Sequence, residues 1–435
     1  MIYQEVLEGQ QLTDLEPGAV VGKGKARCGV RGKDGTGIVV DPTMLGKHIL
    51  ALGAIGSGKS NLIYHLIKGV VLESLTPDDI VIFFDAKGDY LQEFYRPGDY
   101  VIGNKKRIDP DKNVVLWNVF EDVLTTPADE RIETVREVGT SIFKKYIDQS
   151  NNPGFIMGAR DMFCSLIIAF LRDAERTGSK MDNQLFKKLI SSATAKQIRD
   201  KLSQHADLNW ATSYIMSEAS ATTQSYLSPL FMVAQEMFIG SFAEKGDFSI
   251  RRAVQEKGGK SVFLEYDIAS GNTLEAIYTV LIDLAMKESL GQSKPKGSVY
   301  FILDEFPLIP KLNYMDNALN FGRSLGVKVI AGIQNVGQVE NTYSEALAHS
   351  LLSGFGTMYA FRLFDEKSRR MISDRHGKNR KRISMVSAAA FKGMNEQFID
   401  GNAIEDWDVT KLGIGECIVS ISNLEPFRFY PVLYD

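Results

Sequence analysis

The sequence predicts an α/β protein with a mainly parallel sheet and an inserted all-α domain. Short β-branched runs recur with helical patterns between them: HILALG, DIVIFFD, SVFLEYD, SVYFILDE, VKVIAGIQ, TMYAFRL and GECIVSIS. Most of these runs are continuously apolar, as expected for strands that are covered on both faces. The strand, helix, strand order favours a doubly wound, mainly parallel sheet. This alternation stops between about residue 126 and residue 250, which indicates an insertion.

The region 126–250 has a helical pattern throughout. From Ser179 to Ile239 it contains no glycine and a single proline, Pro229. Asp182 and Thr194 stand at the start of two amphipathic runs, where N-cap residues are expected. In RIETVREVGTSIFKKYI, the apolar residues form one stripe on a helix: Ile132, Val135, Val138, Ile142 and Ile147.

Composition and charge are those of an ordinary globular protein. The 435 residues are 44% hydrophobic and 24% charged, which excludes extended disorder and a fibrous chain. The net charge of −4 means that any nucleic-acid surface must be local. Cys28, Cys164 and Cys417 are far apart, so we expect buried thiols in a reducing compartment instead of a disulfide or a metal site.

Two segments are locally basic. The denser one is SDRHGKNRKRIS, residues 373–384, and the smaller one is GNKKRIDPDKN, near Lys105. Each fits either a solvated loop or a local surface for nucleic acid, and the sequence leaves both open.

The stretch GAIGSGKSN matches a phosphate-binding loop. Gly53 is followed by four residues and then by Gly58, Lys59 and Ser60. Glycines let successive backbone N–H groups turn toward phosphate oxygens, and the following helix adds its positive N-terminal end. Lys59 would meet the β- and γ-phosphates of ATP, and the Ser60 hydroxyl would ligate Mg²⁺. The predicted nucleotide-binding residues are Gly53, Gly56, Ser57, Gly58, Lys59, Ser60 and Asn61.

A phosphate-binding loop needs an acidic partner at the end of another buried strand, and two candidates exist. DIVIFFD ends in Asp85, whereas SVYFILDE ends in Asp304 and Glu305. Two adjacent acids can take separate roles: Asp304 would bind the water shell of Mg²⁺, and Glu305 would polarise the attacking water. We therefore favour Asp304 and Glu305. For Asp85, a role as a turn residue that closes its strand is as compatible with the sequence as a direct role at the nucleotide.

Two further residues have an open assignment. Gln334 ends the apolar strand VKVIAGI, where it could sense the γ-phosphate, position water or be a satisfied strand-end amide. Arg323 stands at the end of a predicted helix, where a cation complements the helix C-terminus. In a ring ATPase it could instead reach the next subunit's γ-phosphate as an arginine finger.

Several of these stretches together resemble the conjugative coupling proteins, the TraD/TraG-like ATPases of type IV secretion systems. The resemblance runs from about residue 45 to about residue 430 and is most specific from Asp304 through Gln334. It is carried by GAIGSGKSN, IFFDAKGDYLQEFYRPGDYVIGN, NVVLWNVFED, ILDEFPLIPKLNYMDNALNFGRSLGVKVIAGIQNVGQVENTY and GTMYAFRLFDEKSRRMIS.

The resemblance implies a RecA-like nucleotide-binding domain with an all-α insertion, assembled as a hexameric ring related to FtsK and HerA motors. Members hydrolyse ATP to pump DNA, and in some systems protein, toward a secretion channel, with a relaxase or channel components as partners. Residue by residue, it assigns Lys59 and Ser60 to Walker A, Asp304 and Glu305 to Walker B, Gln334 to the sensor and Arg323 to the finger. The expected segments are 1–125 with Walker A, 126–250 all-α, and 251–435 with Walker B.

The chain departs from typical members, which begin with transmembrane helices. Its N-terminal stretch MIYQEVLEGQQLTDLEPG is polar, and apolar runs such as CSLIIAFL are shorter than the roughly 20 residues that span a bilayer. We expect a cytoplasmic protein without a transmembrane segment that reaches the inner face of the membrane only through partners. Alternatives are a soluble HerA-type ATPase in DNA repair or defence, and a substrate receptor switched by nucleotide; a small-molecule kinase is disfavoured because no second substrate site is evident.

Overall fold

The seven apolar runs predicted as strands all form strands. The computed structural model describes residues 2–22, 29–103, 109, 111–267, 271–292, 295–386 and 394–434. Sixteen strands lie within these residues: β1 Ile2–Glu8, β2 Thr13–Asp14, β3 Val20–Val21, β4 Gly29–Arg31, β5 Gly37–Val39, β6 Ile49–Leu52, β7 Ile80–Asp85, β8 Tyr100–Ile102, β9 Lys260–Glu265, β10 Val299–Leu303, β11 Val327–Ile333, β12 Thr357–Ala360, β13 Lys378–Val386, β14 Met394–Asn402, β15 Cys417–Ile421 and β16 Phe427–Phe429.

The α-helices follow the predicted alternation outside the insertion. Those in the described residues are α1 Pro42–Leu45, α2 Lys59–Leu66, α3 Asp89–Phe94, α4 Val119–Leu124, α5 Arg131–Gln149, α6 Pro153–Thr177, α7 Asn183–Ser192, α8 Ala195–Ser203, α9 Ala221–Met237, α10 Ile250–Glu256, α11 Gly271–Leu290, α12 Met315–Phe321, α13 Val336–Tyr343, α14 Glu345–Ser353, α15 Glu366–His376 and α16 Asp406–Thr410. A π-helical turn, Ile67–Leu72, continues α2.

The chain divides into two compact units. The first comprises Met1–Leu75, Tyr300–Leu308 and Asp316–Asp435. Its main sheet has the strand order β2-β16-β15-β12-β6-β11-β10. At the centre, β6 pairs in parallel with both β11 and β12, and all four residues of β6 are buried. Antiparallel strands β15 and β16 extend the sheet beyond β12, so the sheet is parallel where the phosphate-binding loop leaves it.

The second unit, Thr76–Val299 with Ile309–Met315, contains the helical insertion. Its strands β7, β9 and β8 pair in parallel. From α4 to α10, Val119 to Glu256, helices and helical turns follow one another without a strand. Asp182 and Thr194 cap α7 and α8 as predicted, because their side chains accept hydrogen bonds from the N–H groups of Leu185 and Gln197.

One buried carboxylate connects the two ends of the insertion. Asp122, near the start of α4, accepts hydrogen bonds from Ser249 Oγ at 2.6 Å and from the Arg251 N–H at 3.0 Å. The indole N–H of Trp117 donates to its other oxygen at 2.5 Å. Burial raises the pKa of Asp122 to about 6, because desolvation disfavours the charged form more than these donors favour it.

One helix of the insertion has the length and hydropathy of a membrane span, although the apolar runs within it are short. This helix is α6, Pro153–Thr177, and 61% of its most apolar window is buried inside the protein. It packs against α5 and α9, as the central helix of a folded domain does. Cys164, on this helix, is a buried thiol, as is Cys417 on β15; Cys28 lies outside the described residues.

The basic segment 373–384 is not a loop. It forms the end of α15 and most of β13, which pairs antiparallel with β1 and β14. Acidic residues stand opposite its cations: Glu5 forms an ion pair with Arg382, and Asp400 lies across from Arg380. Since cross-strand acids offset these charges, the segment is not a simple basic surface. Of the second basic segment, residues 104–108 and 110 lie outside the described residues.

Candidate nucleotide site

The phosphate-binding loop connects β6 to α2 in the first unit. Gly56 and Gly58 have φ angles of 71° and 115°, a region that side chains with a Cβ rarely adopt. Lys59 is the first residue of α2. The loop therefore places backbone N–H groups and the N-terminus of a helix around one small volume, the arrangement that binds phosphate.

The loop is held by close contacts from two other segments of the same unit. A Cβ on Gly53 would lie 2.6 Å from Phe361 Cβ, and a Cβ on Gly58 would lie 2.8 Å from Gly415 Cα. The Gly415 N–H also donates to the Ser57 carbonyl at 2.9 Å. Larger residues at either loop glycine would thus push the loop away from its supports.

Lys59 is buried and its ammonium group lies against the loop. Its Nζ donates to the carbonyl of Gly53 at 2.6 Å and to that of Ala54 at 3.1 Å. These acceptors are neutral, so a phosphate oxygen would attract the ammonium more strongly than they do.

The predicted Walker B acids lie beside the loop. The Gly53 N–H donates to the carbonyl of Ile333, the last residue of β11, at 3.2 Å. One residue earlier on β11, a Cβ on Gly332 would lie 2.1 Å from the Asp304 carbonyl and 2.9 Å from Asp304 Oδ1. Asp304 is 6% exposed, so the start of the phosphate-binding loop, the tip of β11 and Asp304 meet at one edge of the sheet.

Glu305 and Gln334 contact each other at this edge. Gln334 Nε2 donates to Glu305 Oε2 at 3.1 Å. Both side chains are half-buried. The amide thus orients the carboxylate, and both groups stand next to the buried Asp304.

The remaining loop residues have distinct surroundings. Ser60 is exposed at the start of α2. The Ser57 hydroxyl is buried and has no hydrogen-bond partner among the described residues. Asn61 faces elsewhere, because its side chain donates to the Val432 carbonyl at 2.9 Å and accepts from the Tyr434 N–H at 2.8 Å.

Arg323 lies at the opposite end of the same sheet. It follows α12 and precedes β11, and its exposed side chain packs over Gly46, which precedes β6. The seven residues of β11 separate it from Gln334, and at about 3.3 Å per residue they span roughly 23 Å. No arginine side chain reaches that far, so Arg323 cannot contact a nucleotide in its own loop.

The alternative acid, Asp85, has structural partners in the second unit. Its carboxylate accepts hydrogen bonds from the N–H groups of Gly88 and Leu91, each at 2.8 Å, at the start of α3. Burial raises its pKa. These contacts match a residue that closes a strand and caps the following helix.

Sequence reasoning gave no role to two segments that touch the loop. The first directly follows β12, where the Arg362 carbonyl accepts the Ala54 N–H at 3.0 Å. The second is the turn Gly413–Glu416 before β15, which contains Gly415. The available sequence signal for the first segment was a cation two residues after a buried strand, because the carboxyl ends of neighbouring parallel strands lie at one edge of the sheet.

The residues present fit a nucleoside triphosphate with Mg²⁺. The glycine cradle leaves room for phosphate, and the Ser57 hydroxyl is a buried polar atom with unused hydrogen-bonding capacity. Ser60 and Asp304 are oxygen donors, the ligand type that Mg²⁺ prefers. No comparable cluster of His, Cys, Asp or Glu for another metal occurs in the described part of the chain.

This fold and this site define a RecA-like P-loop fold with a mainly parallel sheet, an all-α domain and a phosphate-binding loop. Residues 35–402 match the family described as the type IV secretion-system coupling protein DNA-binding domain. The chain therefore belongs to this family, and the resemblance identified from the sequence is confirmed.

Known proteins similar to the chain include coupling proteins from several bacteria. It is 24% identical over 319 residues to coupling protein TraD of Escherichia coli K12, covering 71% of this chain and 41% of TraD. It is 24% identical over 394 residues to VirD4 of Rhizobium rhizogenes, covering 84% of this chain and 56% of VirD4. The chain thus spans about half the length of these curated relatives.

Solved structures show the same fold. The unbound conjugative coupling protein TrwB superposes with a TM-score of 0.77 at 19% identity, covering 99% of this chain and 94% of that one. TrwB in complex with ADP and Mg²⁺ gives a TM-score of 0.74 at 18% identity, with 99% and 95% covered. The predicted RecA-like fold class is therefore confirmed.

Replacing Gly332 with Ala should strongly weaken nucleotide binding. The added methyl group would meet the Asp304 carbonyl oxygen at 2.1 Å, so the end of β11 and the segment that carries Asp304 must move apart. Overpacking of this kind typically costs about 1–3 kcal/mol. Calorimetric titration with ADP and Mg²⁺ measures the loss. The matched control is Gly154→Ala, at a helical glycine whose added Cβ has nothing within 4 Å; wild-type affinity in Gly332→Ala would contradict the geometry.

Proposed function

We propose that this chain is an ATP-hydrolysing motor that moves DNA toward a type IV secretion channel as a homo-oligomeric, hexameric ring. One observation carries the proposal. Lys59, Asp304 and the Glu305–Gln334 pair meet at one sheet edge, while Arg323 stands at the other, out of reach of its own site. Family membership supplies the DNA and secretion part of the proposal.

Each residue has a step that follows from its position. Lys59 exchanges the carbonyls of Gly53 and Ala54 for the β- and γ-phosphate oxygens, where its charge counters that of the transferring group. Glu305 accepts a hydrogen bond from the attacking water and polarises it. Gln334 holds the Glu305 carboxylate in place and thereby couples that carboxylate to the end of β11.

Mg²⁺ would be held by the Ser60 hydroxyl and by Asp304 through its water shell, and it supplies neutralising charge to the phosphates. The TrwB complexes with ADP and Mg²⁺ and with a non-hydrolysable ATP analogue support this part of the proposal. The burial of Asp304 keeps its carboxylate close to the loop and away from competing solvent.

Arg323 acts on the neighbouring subunit in this proposal. A head-to-tail interface that closes by rotation generates a ring. In such a ring, the sheet edge with Arg323 in one subunit faces the sheet edge with the phosphate-binding loop in the next. Each site is then complete only in the oligomer. Stabilisation of the transition-state charge by an arginine from a neighbour couples hydrolysis at one subunit to the position of the next.

DNA should stimulate ATP turnover, and salt should reduce the stimulation. The chain has a net charge of −4, so the cations that contact phosphates must be localised, and such contacts weaken steeply as salt rises. The experiment measures steady-state ATP hydrolysis with and without single- and double-stranded DNA of several lengths.

Protein partners are tested separately, by co-purification with a relaxase or with secretion-channel components.

Lys59→Ala provides the control for contaminating ATPases, because it should remove turnover in every condition. A rate that stays the same across all DNA lengths and salt concentrations would overturn the motor proposal. Co-purification with a nuclease, without relaxase or channel components, would favour a HerA-type role instead.

A further inference from the structure

We propose that Arg362 binds the phosphates of the nucleotide from the side of the loop opposite Gln334. This inference rests on the proposed nucleotide site and adds a ligand to it. The strand order around the loop is β12-β6-β11. Gln334 directly follows β11 and Arg362 lies two residues after β12, so the two residues belong to the strands on opposite sides of the phosphate-binding loop.

Arg362 is attached to the loop by its backbone. Its carbonyl accepts the N–H of Ala54, the second residue of the loop, at 3.0 Å. Its chain neighbour Phe361 packs against both Gly53 and Gly58. The position of the Arg362 backbone relative to the loop is therefore fixed by a hydrogen bond and by a packed ring.

The guanidinium group has an unused donor. Arg362 Nε is buried and has no hydrogen-bond acceptor among the described residues. The guanidinium group lies over the exposed ring of Phe364, 5.4 Å from the ring centroid. This contact orients the guanidinium plane but supplies no hydrogen-bond acceptor. A buried donor of a charged group that lacks an acceptor is costly, and in native proteins it usually has a ligand or a water as its partner.

The acidic residues that follow Arg362 in the sequence have other hydrogen-bond or ion-pair partners. Asp365 accepts the Ser368 N–H at 2.9 Å as the N-cap of α15, and Glu366 pairs with Arg370 at 2.7 Å. The next arginine, Arg369, pairs with Asp406 at 3.2 Å. The fold thus pairs the arginines of α15 with acids or carbonyls. It leaves the Nε donor of Arg362 without an acceptor among the described residues, on a residue whose backbone is bonded to the phosphate-binding loop.

The test compares Arg362→Met and Arg362→Lys with Arg370→Met, an exposed arginine of the same region. Calorimetry measures the affinity of the full chain for ADP, a non-hydrolysable ATP analogue and pyrophosphate, each with Mg²⁺. Since a hydrogen bond to a charged group contributes a factor of about 10 to 100 in affinity, Arg362→Met should weaken all three ligands by that factor. Arg362→Lys retains the charge but lacks Nε, so its loss should be smaller, and Arg370→Met should bind as the wild type does.

A second readout separates ligand binding from a structural role. Because Arg362→Met removes an unpaired buried donor, the Tm of the nucleotide-free protein should stay the same or rise slightly, while the increase in Tm on adding ADP should shrink. A fall in the nucleotide-free Tm with an unchanged nucleotide-induced increase would assign Arg362 to the fold and overturn the inference.

The outcomes also separate this inference from the proposed function. Unchanged affinities in Arg362→Met, with binding abolished in Lys59→Ala, overturn the role of Arg362 and leave the nucleotide site intact. A loss for ADP and the ATP analogue without a loss for pyrophosphate overturns the assignment to phosphate. Absence of nucleotide binding by the wild type would overturn the proposed function itself.

Discussion

Glu305→Gln should bind ATP as tightly as the wild type and lose nearly all turnover. Glutamine has the shape of glutamate and can still accept the hydrogen bond from Gln334 Nε2, which is 3.1 Å from Glu305 Oε2. It cannot, however, draw a proton from water. Loss of such a group lowers rates by about 10² to 10⁴. Single-turnover hydrolysis, measured beside the affinity for ATP, gives both quantities.

A matched control is Glu340→Gln, which neutralises another acid of the same unit. Glu340 pairs with Lys367, away from the phosphate-binding loop, so its replacement should leave turnover unchanged. If Glu305→Gln hydrolyses ATP at the wild-type rate, Glu305 is not the group that polarises water. If the variant is inactive in hydrolysis but keeps its biological activity, the protein works as a nucleotide-controlled receptor instead of a motor.

The central strands could be predicted because burial on both faces leaves a simple signature. Strands β6, β10 and β11 are continuous apolar runs, and the polar residues that follow β10 and β11, Asp304 and Gln334, lie at the sheet edge beside the phosphate-binding loop. The helical insertion was equally visible, because the N-caps and apolar stripes are local features. These predictions needed only short-range patterns, and the fold agrees with them.

The contacts that depend on distant parts of the chain could not be predicted. The basic segment 373–384 forms a strand because β1, about 375 residues earlier, pairs with it and supplies Glu5. Asn61 stands in the loop motif, yet its side chain is used by the segment Val432–Tyr434. Likewise, Arg362 and Gly415 approach the loop only through the order of strands in the sheet, and strand order cannot be derived from local sequence patterns.

Arg323→Ala and Lys59→Ala should each be inactive alone and regain activity when mixed. An arginine finger contributes about 10³ to 10⁵ to the rate, and roughly 23 Å of strand separates Arg323 from its own site. In a mixed ring, a subunit with Arg323→Ala keeps an intact loop, and a Lys59→Ala neighbour supplies the missing arginine. With equal amounts and random assembly, about a quarter of the sites are complete, and steady-state ATP hydrolysis of the mixture reports this fraction.

The decisive control is a mixture of Lys59→Ala with Glu305→Gln. These two residues serve the same loop, so every site in that mixture lacks one of them and no activity should return. Recovery in the first mixture alone therefore identifies Arg323 as a residue that acts between subunits. If neither mixture recovers although the variants assemble together, as measured by particle size, Arg323 acts within its own subunit or only supports the fold. The length of β11 excludes action of Arg323 within its own subunit, because its side chain would have to span the whole length of that strand to reach the nucleotide.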